Sequence, residues 1–354
     1  MRHVHLGAGA LGLGLVAQLT AAQGVDVSVV QRSVGRSTER LASLVEHRGY
    51  WRVIASNNLP PDRWPSNRVA ITKAFALESE DELKREICDP ECRLLTISLG
   101  EGGLEAQVPL ISTILQERAA QNSGRGLCVI ACENTIGEEY AKLSQQRFPE
   151  VTFVPCLVDR MCSSPGIAPD GQVRVDTEDF GSWVIQRIDG ATEFIESSFG
   201  SDGDIEFVDD LPLRRKQKRW LMNGPHLTAG IFAWNAGISR IDYYLDGENA
   251  SIFRAVQREY IEAFHSSNPS VGLEELRSYS REVLRRISAF PMPTSKVLRR
   301  LRPDKLEELL RTGNEIIVKP SSEYLKRHHH QPVMLTLGIH TLIDLVDSRE
   351  YVEL

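Results

Sequence analysis

The sequence predicts an α/β protein with a doubly wound parallel sheet in its N-terminal part and a mostly α-helical C-terminal domain. Three observations carry this. A glycine-rich turn joins a short apolar strand to a helix within the first twenty residues, apolar strands then alternate with helical patterns as far as Pro155, and the second half carries helical periodicity alone. At 354 residues the chain fits two domains, placed at 1–205 and 206–354. A hydrophobic content of 42% with 25% charged residues excludes disorder and fibrous repeats. The net charge of −7 opposes binding to polyanions, so nucleic acid is not an expected partner.

The first strand, Val4–Leu6, runs into Gly7, Gly9 and Gly12, a G-x-G-x-x-G series that opens a helix and precedes a second strand at Val25–Val30. In that context each glycine has its own use. Gly7 permits the tight turn, Gly9 lets the backbone approach a pyrophosphate, and Gly12 lets the helix pack closely on the strand. Ala8, Ala10 and Leu11 complete the loop, which reads as the dinucleotide-binding turn of a Rossmann-type domain. A purely structural glycine turn is the plain alternative. Residues 6–25 carry no formal charge, but five glycines and two glutamines make them a poor membrane span, and no membrane association is expected.

Further strands are expected at Val69–Thr72, Leu94–Ser98, Leu127–Ala131 and Val151–Pro155, with helices such as Glu80–Ile87 and Leu104–Arg118 between them. Ligands of such sheets sit beyond the carboxyl ends of the strands. Two loops leave strands there, SLGEGG (98–103) and CENT (132–135), which makes Ser98, Glu133 and Asn134 ligand candidates. Glu133 and Asn134 also have the chemistry to cap the next helix, and the sequence leaves both readings open. The second strand ends in VVQRSVGRS, with Gln31 where NAD-binding domains usually carry an acid for the ribose 2′-hydroxyl. Gln31 does not repel a 2′-phosphate, and Arg32, Ser33 and Arg36 follow it, so NADP(H) is expected in preference to NAD(H). The alternative is that these arginines begin a solvated helix and either nucleotide serves.

Six cysteines, at 88, 92, 128, 132, 156 and 162, lie in a chain with no secretory leader pattern and without zinc-knuckle spacing. Reduced thiols, a cytoplasmic location and no metal site are the expectation. The segment KRWLMNGPH (218–226) sets a lysine, an amide and a histidine among tryptophan, leucine and methionine. In an unbroken helix Lys218, Asn223 and His226 spread over an arc of ~140°, and Gly224-Pro225 offers a kink that gathers them. The other reading is a buried helix with a snorkelling lysine.

Four motifs together resemble the long-chain polyol dehydrogenase family, known by its mannitol dehydrogenases: HLGAGALGLG (5–14), LLTISLGEGGLE (94–105) with IACENTIG (130–137), LVDRM (157–161), and K-x4-N-x2-H at Lys218, Asn223 and His226. Chain length and the ACEN segment agree best with its mannitol-1-phosphate 5-dehydrogenase-like branch. The resemblance implies hydride transfer between a polyol, phosphorylated or not, and its ketose, in a monomer or small homo-oligomer. It implies Lys218 as general acid and base, Asn134 and Asn223 at the oxyanion, His226 orienting the hydroxyl, and Asp159 with Arg160 on the polyol. Burial and the neighbouring cations Arg214, Arg215, Lys216 and Arg219 would lower a lysine from ~10.4 toward the range of a general base. The likeness covers roughly residues 1–230. Beyond it RISAFPMPTSKVLRRL (286–301) does not match the family's R-F-x-N-P-x-I-x-D stretch, and Arg215 stands where a glutamate is usual. Arg215 lies in a basic run that reads either as a contact for an anionic substrate or as a solvated helix face. The His328–His330 run reads as a solvated loop. A 2-keto acid reductase of ketopantoate type and a non-catalytic nucleotide-binding regulator are the competing functions.

Overall fold

The computed structural model describes residues 1–121, 125–199, 203–298, 311–328 and 330–347. It divides the chain into two compact units, Met1–Leu211 and Pro212–Leu354. The division falls at 211 rather than 205 because β13 (Ile205–Val208) pairs in parallel with β12 (Ser182–Gln186), which holds that segment in the first unit.

The first unit is built on a six-stranded parallel sheet. In chain order its strands are β1 (Arg2–Leu6), β2 (Asp26–Gln31), β5 (Lys73–Ala76), β6 (Cys92–Ile97), β7 (Leu127–Ala131) and β8 (Val151–Phe153), and across the sheet the order is β5-β2-β1-β6-β7-β8. The order reverses at β1, whose two neighbours lead away in opposite directions, so the crevice that such sheets offer to a ligand opens beyond Leu6 and Ile97. The central strands are buried on both faces, which is why they read as continuous apolar runs. Helices α1 (a first turn at Gly12–Val16 continuing into Ala17–Ala22), α2 (Arg36–His47), α3 (Glu80–Cys88), α4 (Glu101–Ala120) and α5 (Glu138–Ser144) alternate with the strands.

Two smaller sheets are added. One has the order β10 (Gly166–Ile167), β11 (Val173–Thr177), β3 (Gly49–Ile54), β4 (Ser66–Ala70), and the other β13, β12, β9 (Cys156–Asp159), with α6 (Ala191–Phe199) between β12 and β13. The strand expected at Val69–Thr72 is displaced. Ser66–Ala70 turns back antiparallel on β3, and Lys73–Ala76 takes the parallel place beside β2. In the second unit, α7 (Leu211–Lys218), α8 (Gly224–Asn235), α10 (Asn249–Ser267), α11 (Leu273–Ala289) and a helix at Val333–Asp347 confirm the helical reading, with α9 (Ile241–Tyr244) between α8 and α10. The helix expected at Lys305–Arg311 lies, Arg311 apart, outside the described residues, as does His329. Among the described residues no helix is long and apolar enough to cross a membrane. All six cysteines are buried thiols outside any disulfide, and burial pushes the Cys92 thiol up to about 12 and Cys128 up to about 11.

Beneath the glycine turn, β1 carries two fully buried histidines on one face. His5 Nε2 lies 3.0 Å from the Gly7 carbonyl, which only accepts, so Nε2 bears the proton and Nδ1 of the neutral ring accepts from Thr96 Oγ1 at 2.6 Å. Thr96 has one hydrogen, so it must in turn accept from His3 Nε2, also at 2.6 Å. His3 Nδ1 then faces Thr20 Oγ1 of α1 at 2.9 Å. A single hydrogen-bond direction thus runs from helix α1 through β6 to the turn. Burial holds His3 well below its usual range and lowers His5 to about 4.

Because both rings are neutral when folded and titrate near 6.5 when unfolded, the unfolded chain binds more protons below that pH, and stability falls as pH drops from about 6.5 toward 4 by up to about 1.4 kcal/mol per pH unit for each ring. Urea unfolding over that range is expected to show the parent midpoint falling more steeply than that of His5→Gln. Parallel pH dependences would show that the His5 ring does not titrate on unfolding.

Candidate active site

The turn after β1 is made of backbone packed on backbone. Gly7 has φ +110°, and its N–H donates to the Val30 carbonyl at 2.7 Å. A Cβ there would stand 2.2 Å from the Ser98 carbonyl oxygen, and a Cβ on Gly12 would stand 2.2 Å from the Gly7 oxygen and 2.4 Å from His5 Nε2. Neither position admits a side chain. A Cβ on Gly9 would lie 3.8 Å from Ser98 O, so that flank is open to a ligand. Ala8 is buried within the core, while Ala10 and Leu11 pack partly buried against it.

The first turn of α1, Gly12–Val16, is π-helical, with Ala17 N–H donating to Gly12 O five residues back. Side chains from elsewhere in the unit reach carbonyls of that widened turn: Tyr50 donates its hydroxyl to Leu13 O at 2.7 Å, and Arg160 donates Nη1 to Gly14 O at 2.8 Å. Arg160 also donates to Phe180 O at 2.7 Å and to Gln18 Oε1 at 2.9 Å, and pairs with Asp204 at 3.3 Å. Expected on the polyol, its guanidinium is instead buried and engaged inside the first unit. The LVDRM motif is thereby tied to the glycine motif, and Asp159 ends β9 beside it, 7% exposed.

Gln31 ends β2 as expected, but its side chain turns inward. Its Oε1 accepts the Ala8 N–H at 2.7 Å, so it braces the glycine turn. Arg32, Ser33 and Arg36 are exposed beyond it. Across the crevice Ser98 follows β6, donating its N–H to Leu6 O at 2.7 Å, while its buried hydroxyl has no hydrogen-bond partner among the described residues. Glu133 bridges the two loops, accepting the Gly100 N–H at 2.7 Å. Asn134 is exposed, the N-cap position of α5 is Gly137, and Glu105 from α4 accepts the Glu139 and Tyr140 N–H groups in its first turn. An open glycine flank, an orphaned hydroxyl and a helix N-terminus at the switch point fit a bound dinucleotide.

In the second unit α7 ends at Lys218, a π-helical turn spans Arg219–Asn223, and α8 begins at Gly224. Gly224 N–H donates to Arg219 O, a five-residue spacing, so Lys218 and Asn223, also five apart, stand one turn above each other. The expected kink is thus a widened turn just before Gly224-Pro225. Proline brings no N–H to the helix, and a Cβ on Gly224 would stand 2.6 Å from the Tyr260 ring. Lys218 is 8% exposed, His226 is fully buried and Asn223 half-buried. The basic run is not a uniform solvated face: Arg214 donates to Gln217, Lys216 lies 4.7 Å from the Trp220 ring centre and donates to Ser267 Oγ, and Arg219 pairs with Glu315. Arg215 is half-buried. Among the described residues no cluster of three or more His, Cys, Asp or Glu is arranged to hold a metal.

The fold and its glycine turn define a dehydrogenase that binds a nicotinamide dinucleotide. The chain belongs to the mannitol dehydrogenase family, whose Rossmann-domain model matches residues 1–195, and it is a polyol dehydrogenase. Relatives include mannitol-1-phosphate 5-dehydrogenases of Thermoanaerobacter pseudethanolicus, 24% identical over 81% of this chain and 72% of theirs, and of Geobacillus thermodenitrificans, 26% identical over 97% and 86%. The second alignment carries the likeness past residue 230, beyond the last of the four motifs. Pseudomonas fluorescens mannitol 2-dehydrogenase, solved with NAD and D-mannitol, shares the fold at TM-score 0.71 and 16% identity over 97% of this chain and 78% of that one. A Methylococcus capsulatus 2-dehydropantoate 2-reductase shares it at 0.55 and 15%, over 99% and 97%.

Gly12→Ala is expected to weaken binding of either nicotinamide nucleotide by more than about tenfold, since the methyl displaces the Gly7 carbonyl. Gly166→Ala in β10, whose Cβ meets nothing within 4 Å, is the matched control. Fluorescence titration of both variants decides it, and equal affinities would show that the turn tolerates a side chain.

Proposed function

We propose that the protein interconverts a polyol, or a polyol phosphate of the mannitol-1-phosphate kind, with its ketose. The buried Lys218 one π-turn from Asn223, at the family's K-x4-N-x2-H spacing, is the observation that carries this reading. In oxidation the bound nicotinamide accepts a hydride from the carbinol carbon. Lys218 Nζ takes the hydroxyl proton, and in reduction returns it to the same oxygen. A lysine amine placed at the reacting oxygen can take the proton in one direction and return it in the other. Asn223 and Asn134 donate to the oxyanion, His226 orients the hydroxyl, and Asp159 accepts from the polyol chain. Arg215 is the proposed contact for an anionic substituent. Proton transfer to an amine with amide donors at the oxygen needs no Lewis acid, so the reaction is proposed to be metal-independent. Turnover with any member of a panel of ketoses, ketose phosphates and uronates would dispose of a non-catalytic role.

For the nucleotide, the absence of an acid at the end of β2 and the exposed arginines Arg32 and Arg36 support NADP(H) over NAD(H).

With an accepted substrate, Lys218→Ala is expected to lower turnover by about 10²- to 10⁴-fold while leaving nucleotide affinity within about threefold. A loss of only a few-fold would make the lysine structural. Arg32→Ala is expected to weaken NADPH by roughly tenfold and NADH little, as a charge-assisted contact to phosphate implies. Equal dissociation constants for both nucleotides in the parent protein would overturn the preference.

A further inference from the structure

β2 ends without an acid, and a carboxylate stands just past the end of the strand beside it. β5 runs parallel to β2, and the pairing ends where Leu77 N–H donates to Gln31 O at 3.0 Å. The next residue, Glu78, lies at the same carboxyl end and precedes α3. Both oxygens of its carboxylate accept the Ser33 N–H, at 3.2 and 3.0 Å. This is the end of the second strand, where doubly wound sheets receive the adenosine ribose. From this geometry we propose that Glu78 determines nucleotide specificity, opposing the 2′-phosphate that Arg32 and Arg36 attract.

The chemistry is asymmetric. A ribose 2′-hydroxyl has a proton to donate to a carboxylate. A 2′-phosphate at neutral pH is almost wholly an acceptor, is repelled by the same carboxylate, and competes with it for the Ser33 N–H. Glu78 is exposed and held by that backbone donor. Selectivity is then the difference between the two arginines and this one acid. The inference rests on the reading that the glycine turn holds a nicotinamide dinucleotide. It does not depend on which nucleotide the parent protein prefers.

The test is the ratio of NADPH to NADH dissociation constants in the full-length protein, with Glu78→Gln and Glu78→Ala beside the parent. Both variants should tighten NADPH by roughly tenfold, and Glu78→Ala should weaken NADH by a few-fold because the 2′-hydroxyl loses its acceptor, with a smaller loss in Glu78→Gln, which keeps an amide oxygen. The gain should shrink as salt is raised, since exposed charges are screened. Adenosine 2′,5′-bisphosphate against adenosine 5′-monophosphate should report the same change in ratio without the nicotinamide. Equal shifts for both nucleotides, or an unchanged ratio in both variants, would reduce Glu78 to a loop brace and overturn the proposal. If the parent binds NADH more tightly while the variants still shift the ratio, the NADP(H) preference fails and the role of Glu78 stands.

Discussion

The first unit depends on one contact that allows no side chain: the Gly12 α-carbon against the Gly7 carbonyl, with the His5 ring closing the same space. Everything that shapes the nucleotide turn converges there. The His3–Thr96–His5 series fixes the floor from the sheet side, and Gln31 holds the Ala8 amide from β2. Tyr50 and Arg160 hold the far side of the turn through carbonyls of the π-helical segment. Buried polar groups are costly when unmatched and rigid when matched, so such a network selects one geometry for the loop.

Two of the π-helical turns, Gly12–Val16 and Arg219–Asn223, have a common physical role. At Gly12–Val16 the widened turn presents carbonyls to side chains that arrive from other strands. At Arg219–Asn223 it aligns two side chains that an α-helix would set far apart around its axis. In both places a regular helix would satisfy its own backbone more fully and serve the local purpose less well. Departures of this kind are typical of functional sites.

Much of this is legible in the sequence wherever the signal is local. The strands at β1, β2, β6 and β7 read as apolar runs, the glycine turn as a fingerprint, and K-x4-N-x2-H as a spacing. What is not legible depends on partners distant in the chain. Strand β4 is mostly exposed and pairs only with β3, so its residues lack the apolar run that marks the central sheet, and sequence alone puts the strand at Val69–Thr72 in consequence. The strands β9 to β13 are only two to five residues long, and of them only β11 (VRVDT) alternates apolar with polar along its length. Arg160 reads as a substrate contact because a motif shows a cation but not the carbonyls it meets, 146 residues away at Gly14. Gln31 reads by the charge it lacks, whereas its structural use is the amide oxygen it offers to Ala8.

The π-turn before Gly224 also bears on how this half of the chain tolerates change in length as opposed to change in identity. A π-turn is a helix carrying one residue more than its α-helical equivalent. Deleting a residue within 219–223 would let the segment relax into regular helix, with nearly every backbone hydrogen bond intact and little loss of fold. After loss of one residue among 219–222, Lys218 and Asn223 would be four apart in an α-helix, ~40° apart about the axis, and Lys218 and His226 seven apart, ~20°, so the three side chains would still share a face. The π-turn can thus give up its extra residue without turning one end of the helix against the other, whereas the same deletion in a regular α-helical stretch turns everything beyond it by ~100°. A deletion series along the helix would read that difference directly.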